Sequence, residues 1–223
     1  MEALRHAMVC RKIAMSGRHS KGQNAVLGVL KQIKKYVDGT EFAITVTNEP
    51  FLSDLSYRGL NGSSTFWART NPNSEVGMEN KGDIFVSFDA NRNGEHIALL
   101  MDFVVTAPLL EGGEVGDAAK AATLVKYNKY REVWQIPDAD PVFCPYALEP
   151  TGFVHGAADQ LLLNFLRKVL NMPPLTSDVP PPYEFTYFIT RLRTSVSLAL
   201  ARGVADKVRK QRELFTRVVP VVA

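Results

Sequence analysis

Cysteine is scarce in this chain: two among 223 residues, Cys10 and Cys144. They lie far apart with no pairing pattern, which argues against a disulfide framework and for a reducing compartment. Long apolar runs are also lacking. Asp102 interrupts the greasiest stretch, so no segment approaches the roughly 20 apolar residues that span a bilayer, and no membrane span is expected. No apolar signal-peptide core is present. The first 21 residues contain a single acid, Glu2, and fit an organellar transit segment, so nucleus and organelle, the mitochondrion included, both stay open.

What is present suits one good-sized domain with a buried core: 46% hydrophobic and 22% charged residues. The net charge of +3 is unevenly spread. Residues 1–36 carry eight Lys/Arg against Glu2, and residues 202–223 carry six against Asp206 and Glu213. Residues 37–201 then hold twelve Lys/Arg against twenty Asp/Glu, a charge of −8. Basic ends around an acidic middle suit a protein that grips phosphates at its ends and holds a cation at its centre. The expected phosphate-binding residues are Arg11, Lys12, Arg18, Lys21, Lys34 and Lys35 at one end, and Lys207, Arg209 and Lys210 at the other. The plain alternative is a set of solvated helix surfaces.

Periodicity sets the element order. Val26, Leu27, Leu30, Ile33 and Val37 recur at helical spacing within 22–37, and residues 41–47 alternate as a β-branched strand. Residues 53–80 are loop-like. GDIFVSFDA, NRNG and EHIALLMDFVV form a hairpin signal with Asn91 and Gly94 at the ends of a type I turn, both arms being apolar on both faces. Asp117 is a plausible N-cap for a helix over 118–135, and Pro137 stops it. A strand over 142–149, an amphipathic helix over 157–171, a proline-rich linker over 173–182 and a long helix over 183–213, interruptible at Gly203, complete the chain. The expected class is α/β: a small mixed sheet with a central hairpin flanked by helices, plus C-terminal helices.

The hairpin carries a chemical consequence. With Arg92 and Asn93 at the turn centre, opposed residues sum to 185, so Asp83 faces Asp102 within one residue. Like charges directly opposed in a sheet destabilise it unless protonated or shared with a cation. Mg²⁺ is commonly held by one or two carboxylates together with water and phosphate oxygens. The next helix presents Lys126, Lys129 and Tyr130 on one face, so either lysine can approach the pair. Glu149, at the next strand's end, and Glu49 are candidates to complete an acidic cluster.

The run KGDIFVSFD, HIALLMDFVV and AAKAATLVKYNKY, followed by PYALEPTG, resembles the restriction-endonuclease-like (PD-(D/E)XK) domain of non-LTR retrotransposon reverse transcriptase proteins. NEPFL, RHSKGQNAVLGVL and FITRLRTSVSLALARG resemble further elements of that domain, and HAMVC resembles the closing half of its zinc knuckle. The sharp motifs cover residues 80–152. The resemblance implies metal ligation by Asp83 and Asp102 with Mg²⁺ or Mn²⁺, and assistance by Lys126 or Lys129, with Glu49 and Glu149 as weaker transfers. Departures are Gly82 in place of the motif proline, and the absence of the first C-x-x-C half of the knuckle. His6 and Cys10 alone do not make a tetrahedral zinc site, and no zinc is expected. No polymerase is present in these residues.

The implied organisation is a knuckle relic (1–17), a nuclease-like core (18–172), a linker (173–182) and a C-terminal helix with a basic tail (183–223). Two functions fit. One is a metal-dependent endonuclease acting on nucleic-acid phosphodiesters. The other is a domesticated, catalytically retired domain that binds nucleic acid or serves as a subunit of a ribonucleoprotein such as an organellar ribosome.

Overall fold

A computed structural model of the protein describes residues 16–37, 42–50, 82–90, 95–106, 114–129, 141–150, 152–170 and 181–218. In chain order these form α1 (Ser16–Val37), β1 (Phe42–Asn48), β2 (Ile84–Ala90), β3 (Glu95–Val105), α2 (Asp117–Lys129), β4 (Val142–Leu148), α3 (Gly156–Val169) and α4 (Tyr183–Val218). The hairpin turn, the 53–80 loop, most of the linker and the knuckle segment with Arg11 and Lys12 lie outside the described residues.

The strands form one mixed sheet in the order β1-β2-β3-β4. β1, β2 and β3 pair antiparallel in turn, and β4 joins β3 in parallel. Only a crossover can join parallel neighbours, and α2 lies on that connection. The β2–β3 register is Ile84↔Met101 and Phe85↔Leu100, the sum of 185 expected from the turn residues.

Alternation divides the sheet into two faces. On one, Ile84, Val86, Phe88, Leu99, Met101, Phe103, Cys144, Tyr146 and Leu148 form a continuous core with the apolar sides of α1, α3 and α4. Burying each large side chain there contributes about 1.5–3 kcal/mol. On the other face α2 covers β3 and β4, with Tyr127 edge-on to Phe143 at 5.8 Å.

Two elements differ from the sequence reading. α1 begins at Ser16 rather than residue 22; its early part carries no apolar stripe, but His19 and Lys21 make tertiary contacts to Asp83 and Asp206. α4 continues unbroken through Gly203. A Cβ there would stand 2.8 Å from Arg18 Cγ, so this glycine admits α1 against α4 rather than ending the helix. The two helices pack antiparallel: Tyr36 meets Phe188 near one end, and Lys21 pairs with Asp206 near the other. α4 thus shares a single core with α1 and the sheet.

Candidate functional site: a coupled carboxylate pair

Asp83 immediately precedes β2, and its N–H donates to Met101 O at 3.1 Å, which sets it opposite Asp102. Its carbonyl accepts from Glu49 N–H at 2.9 Å and from Gln23 Nε2 at 3.0 Å. Gln23, buried on α1, also donates to Asn48 Oδ1 at 3.1 Å and so ties the end of β1 to the site. Gly82 N–H donates to Pro50 O at 3.0 Å. A proline at position 82 has no such donor; the departure from the motif therefore adds a backbone bond between the β1 and β2 segments.

The Asp83 carboxylate is held on the other side as well. Oδ2 accepts from Phe103 N–H at 2.5 Å and lies 3.2 Å from His19 Nε2. The same nitrogen lies 3.1 Å from Phe103 O. Both neighbours are acceptors, so Nε2 carries the proton and donates to both. Lys126 Nζ donates to both oxygens of Asp102, each at 2.8 Å. The result is a row of four groups, His19, Asp83, Asp102 and Lys126, in which two adjacent carboxylates are flanked by a base on each side.

The two carboxyls are driven apart in acidity. Burial pushes Asp102 up, and the neighbouring Asp83 charge adds to this; Lys126 opposes but does not cancel it. Burial also pushes Asp83 up, but the hydrogen bonds from His19 and Phe103 outweigh it and carry the group below its ordinary value. His19 is raised, chiefly by its bond to Asp83. Adjacent carboxyls with opposite shifts are a recurrent mark of functional sites.

Glu49 adjoins the pair through its backbone and has φ +49°. That left-handed conformation costs a non-glycine residue about 1 kcal/mol or more. Its side chain is exposed.

Glu149 stands elsewhere. It lies four residues beyond Pro145, the β4 partner of Asp102, roughly 13 Å along the sheet at about 3.3 Å per residue. Its buried Oε1 accepts from Gly116 N–H at 2.9 Å and Ala119 N–H at 3.4 Å. Glu149 therefore caps the start of α2, the role expected of Asp117, because β4 delivers its carboxylate to that helix's open N–H groups. Lys129 closes α2, and its side chain lies outside the described residues.

The described basic residues expected to bind phosphate are not all presented to solvent. Arg18 and Lys207 are 3% and 5% exposed, which places both in the interior rather than on a phosphate-binding surface. Lys21 pairs with Asp206. Lys34 donates to Ile44 O at 2.8 Å, and lies thirteen residues from Lys21, roughly 20 Å along α1. Lys35, Arg209 and Lys210 are exposed. Arg209 is shared between Asp206 and Glu213 at 3.7 and 3.9 Å.

His19 and Gln23 are the members that the sequence reading did not select. Positions 19, 23, 26, 30, 33 and 37 form a single helical stripe, apolar from Val26 onward. Two hydrogen-bonding side chains on an otherwise apolar inward stripe were the available signal.

Two neighbouring carboxylates suit Mg²⁺, which needs only one or two from the protein. Among the described residues no group of three or more His, Cys, Asp and Glu is placed to hold a metal ion, and no helix is long and apolar enough to cross a membrane. Cys144 is no nucleophile: burial pushes its thiol up to about 12. No family model, curated protein or solved structure matches this chain. The class defined here is therefore a mixed α/β domain carrying a coupled aspartate pair.

Proposed function

We propose that this domain is a metal-dependent endonuclease of the PD-(D/E)XK type, of retrotransposon origin, acting on nucleic-acid phosphodiesters. The carrying observation is the Asp83–Asp102 pair, with Lys126 on one carboxylate and His19 on the other. Asp83 and Asp102 would hold Mg²⁺ or Mn²⁺. When bound, the ion supplies Lewis-acid activation of water and charge neutralisation at phosphate. Lys126, 2.8 Å from Asp102, is the cation positioned to offset charge developing on the phosphate. His19 and Phe103 N–H keep Asp83 ionised and oriented.

A second reading rests on the same ion pair. Lys126 already satisfies both oxygens of Asp102, so the pair is balanced by protein groups alone. That favours a retired nuclease fold retained for nucleic-acid binding or for assembly into a ribonucleoprotein.

Incubating supercoiled plasmid and single-stranded RNA with Mg²⁺, Mn²⁺ or EDTA separates the two. The nuclease reading expects metal-dependent cutting by the wild type and none by Asp83→Asn or Asp102→Ala. Binding without cutting, unaffected by either variant, leaves the retired reading.

A further inference from the structure

Helix α4 carries two stripes. The inward one, through Phe185, Phe188, Leu192 and Val196, belongs to the core. The outward one runs through Tyr183, Tyr187, Thr190, Arg191 and Thr194, lining an open groove of about 500 Å³. Solvent-facing helix surfaces are usually built from long charged side chains. Here Arg191 is the only charge in that stripe, and its rings face water: Tyr183 is 77% exposed and Tyr187 41%. The two rings are stacked, with centroids 6.2 Å apart and planes 27° from parallel. The Arg191 guanidinium lies 5.9 Å from the Tyr187 centroid and donates to Tyr187 Oη at 3.2 Å. Tyr36, 54% exposed on the last turn of α1, packs edge-on to the buried Phe188, which also contacts Tyr187.

We propose that this face binds single-stranded nucleic acid, with bases stacking on Tyr183 and Tyr187 and the backbone phosphate meeting Arg191. Unpaired bases offer flat faces to rings in a way that duplex bases do not, and a cation beside the rings supplies the phosphate contact. Among the described residues the charge is complementary: Arg191 and the exposed Lys35 of α1 stand against one acid, Glu184, in the first turn of α4. The threonine hydroxyls add donors for sugar and phosphate oxygens. This surface is separate from the aspartate pair. Tyr36 and His19 are seventeen residues apart on α1, roughly 25 Å at 1.5 Å per residue. The inference therefore holds whether or not the domain cuts.

The test is fluorescence anisotropy of a labelled twelve-nucleotide oligothymidylate with the full chain in EDTA, against a duplex of equal length. The wild type should prefer the single strand. Replacing both Tyr183 and Tyr187 by Ala should weaken single-strand binding at least tenfold, with duplex binding and melting temperature unchanged. The double Phe variant should retain it, because stacking survives. Arg191→Ala should reduce the salt slope by about one. The proposal is overturned by an Ala variant that binds like the wild type, by a wild type without single-strand preference, or by tyrosine-dependent self-association without oligonucleotide binding. Plasmid cleavage, read separately, reports only on the aspartate site.

Discussion

Lys126 holds Asp102 by both carboxylate oxygens, each at 2.8 Å. Removing the ammonium leaves a largely buried carboxyl beside Asp83. Lys126→Met should therefore cost about 1–3 kcal/mol at neutral pH. Lys126 opposes the upward shift of Asp102, so without it the carboxyl rises further. A group raised in the folded state loses stability as pH climbs through the unfolded value. The penalty should thus be small below pH 3.8 and grow above it. Adding Asp102→Asn should recover most of the loss. Urea midpoints across pH measure the wild type and both variants, and a pH-independent deficit would refute this account.

The His19–Asp83 pair has its own pH window. His19 is raised above 6.5, so its contribution is complete below 6.5 and is lost as pH rises through the higher folded value. Asp83 is lowered, so its contribution is present above 3.8 and is lost as pH falls through the lower folded value. The stability gap between wild type and His19→Ala should be widest between pH 3.8 and 6.5 and should shrink as pH rises above 6.5. Thermal melts in matched buffers would show this, and a flat gap would reduce His19 to a packing residue.

Glu149 is expected to behave as a cap. Glu149→Ala strands the buried Gly116 N–H and should cost about 1–2 kcal/mol. Glu149→Gln keeps an acceptor and should cost less. If the proposed metal site at Asp83 and Asp102 binds Mn²⁺, neither variant should change that affinity, measured by titration calorimetry, by more than twofold at a temperature where both are folded. A tenfold loss of affinity in the Gln variant would return Glu149 to the site.

The glycines of α1 and α4 should respond oppositely to alanine. Gly28 is exposed in α1 with nothing within 4 Å of a new Cβ, so Gly28→Ala should stabilise by about 0.5–1 kcal/mol. At Gly203 the added Cβ would meet Arg18 Cγ at 2.8 Å and Arg18 Cα at 3.5 Å. Gly203→Ala should destabilise by about 1–3 kcal/mol, despite the better helix propensity. Calorimetric melting temperatures decide both.

The sequence alone determined what depends on local pattern. The 3.6-residue stripe of α1, the alternation in β1 and the apolar arms of β2 and β3 were legible because propensity, burial and turn chemistry agreed. One further step followed from arithmetic: the turn expected at Arg92 and Asn93 implies pairs summing to 185, the register that sets Asp83 against Asp102. Tertiary structure decided the rest. Glu149 and Glu49 looked equivalent as strand-end acids, yet β4 carries one to the start of α2 while β1 leaves the other exposed beside Asp83. Gly203 resembled a helix break until α1 packed against it. His19 lies 64 residues from Asp83 in the chain. No local pattern encodes that contact; it exists because the apolar stripe of α1 buries against the sheet and carries the first turn of the helix to the carboxylate.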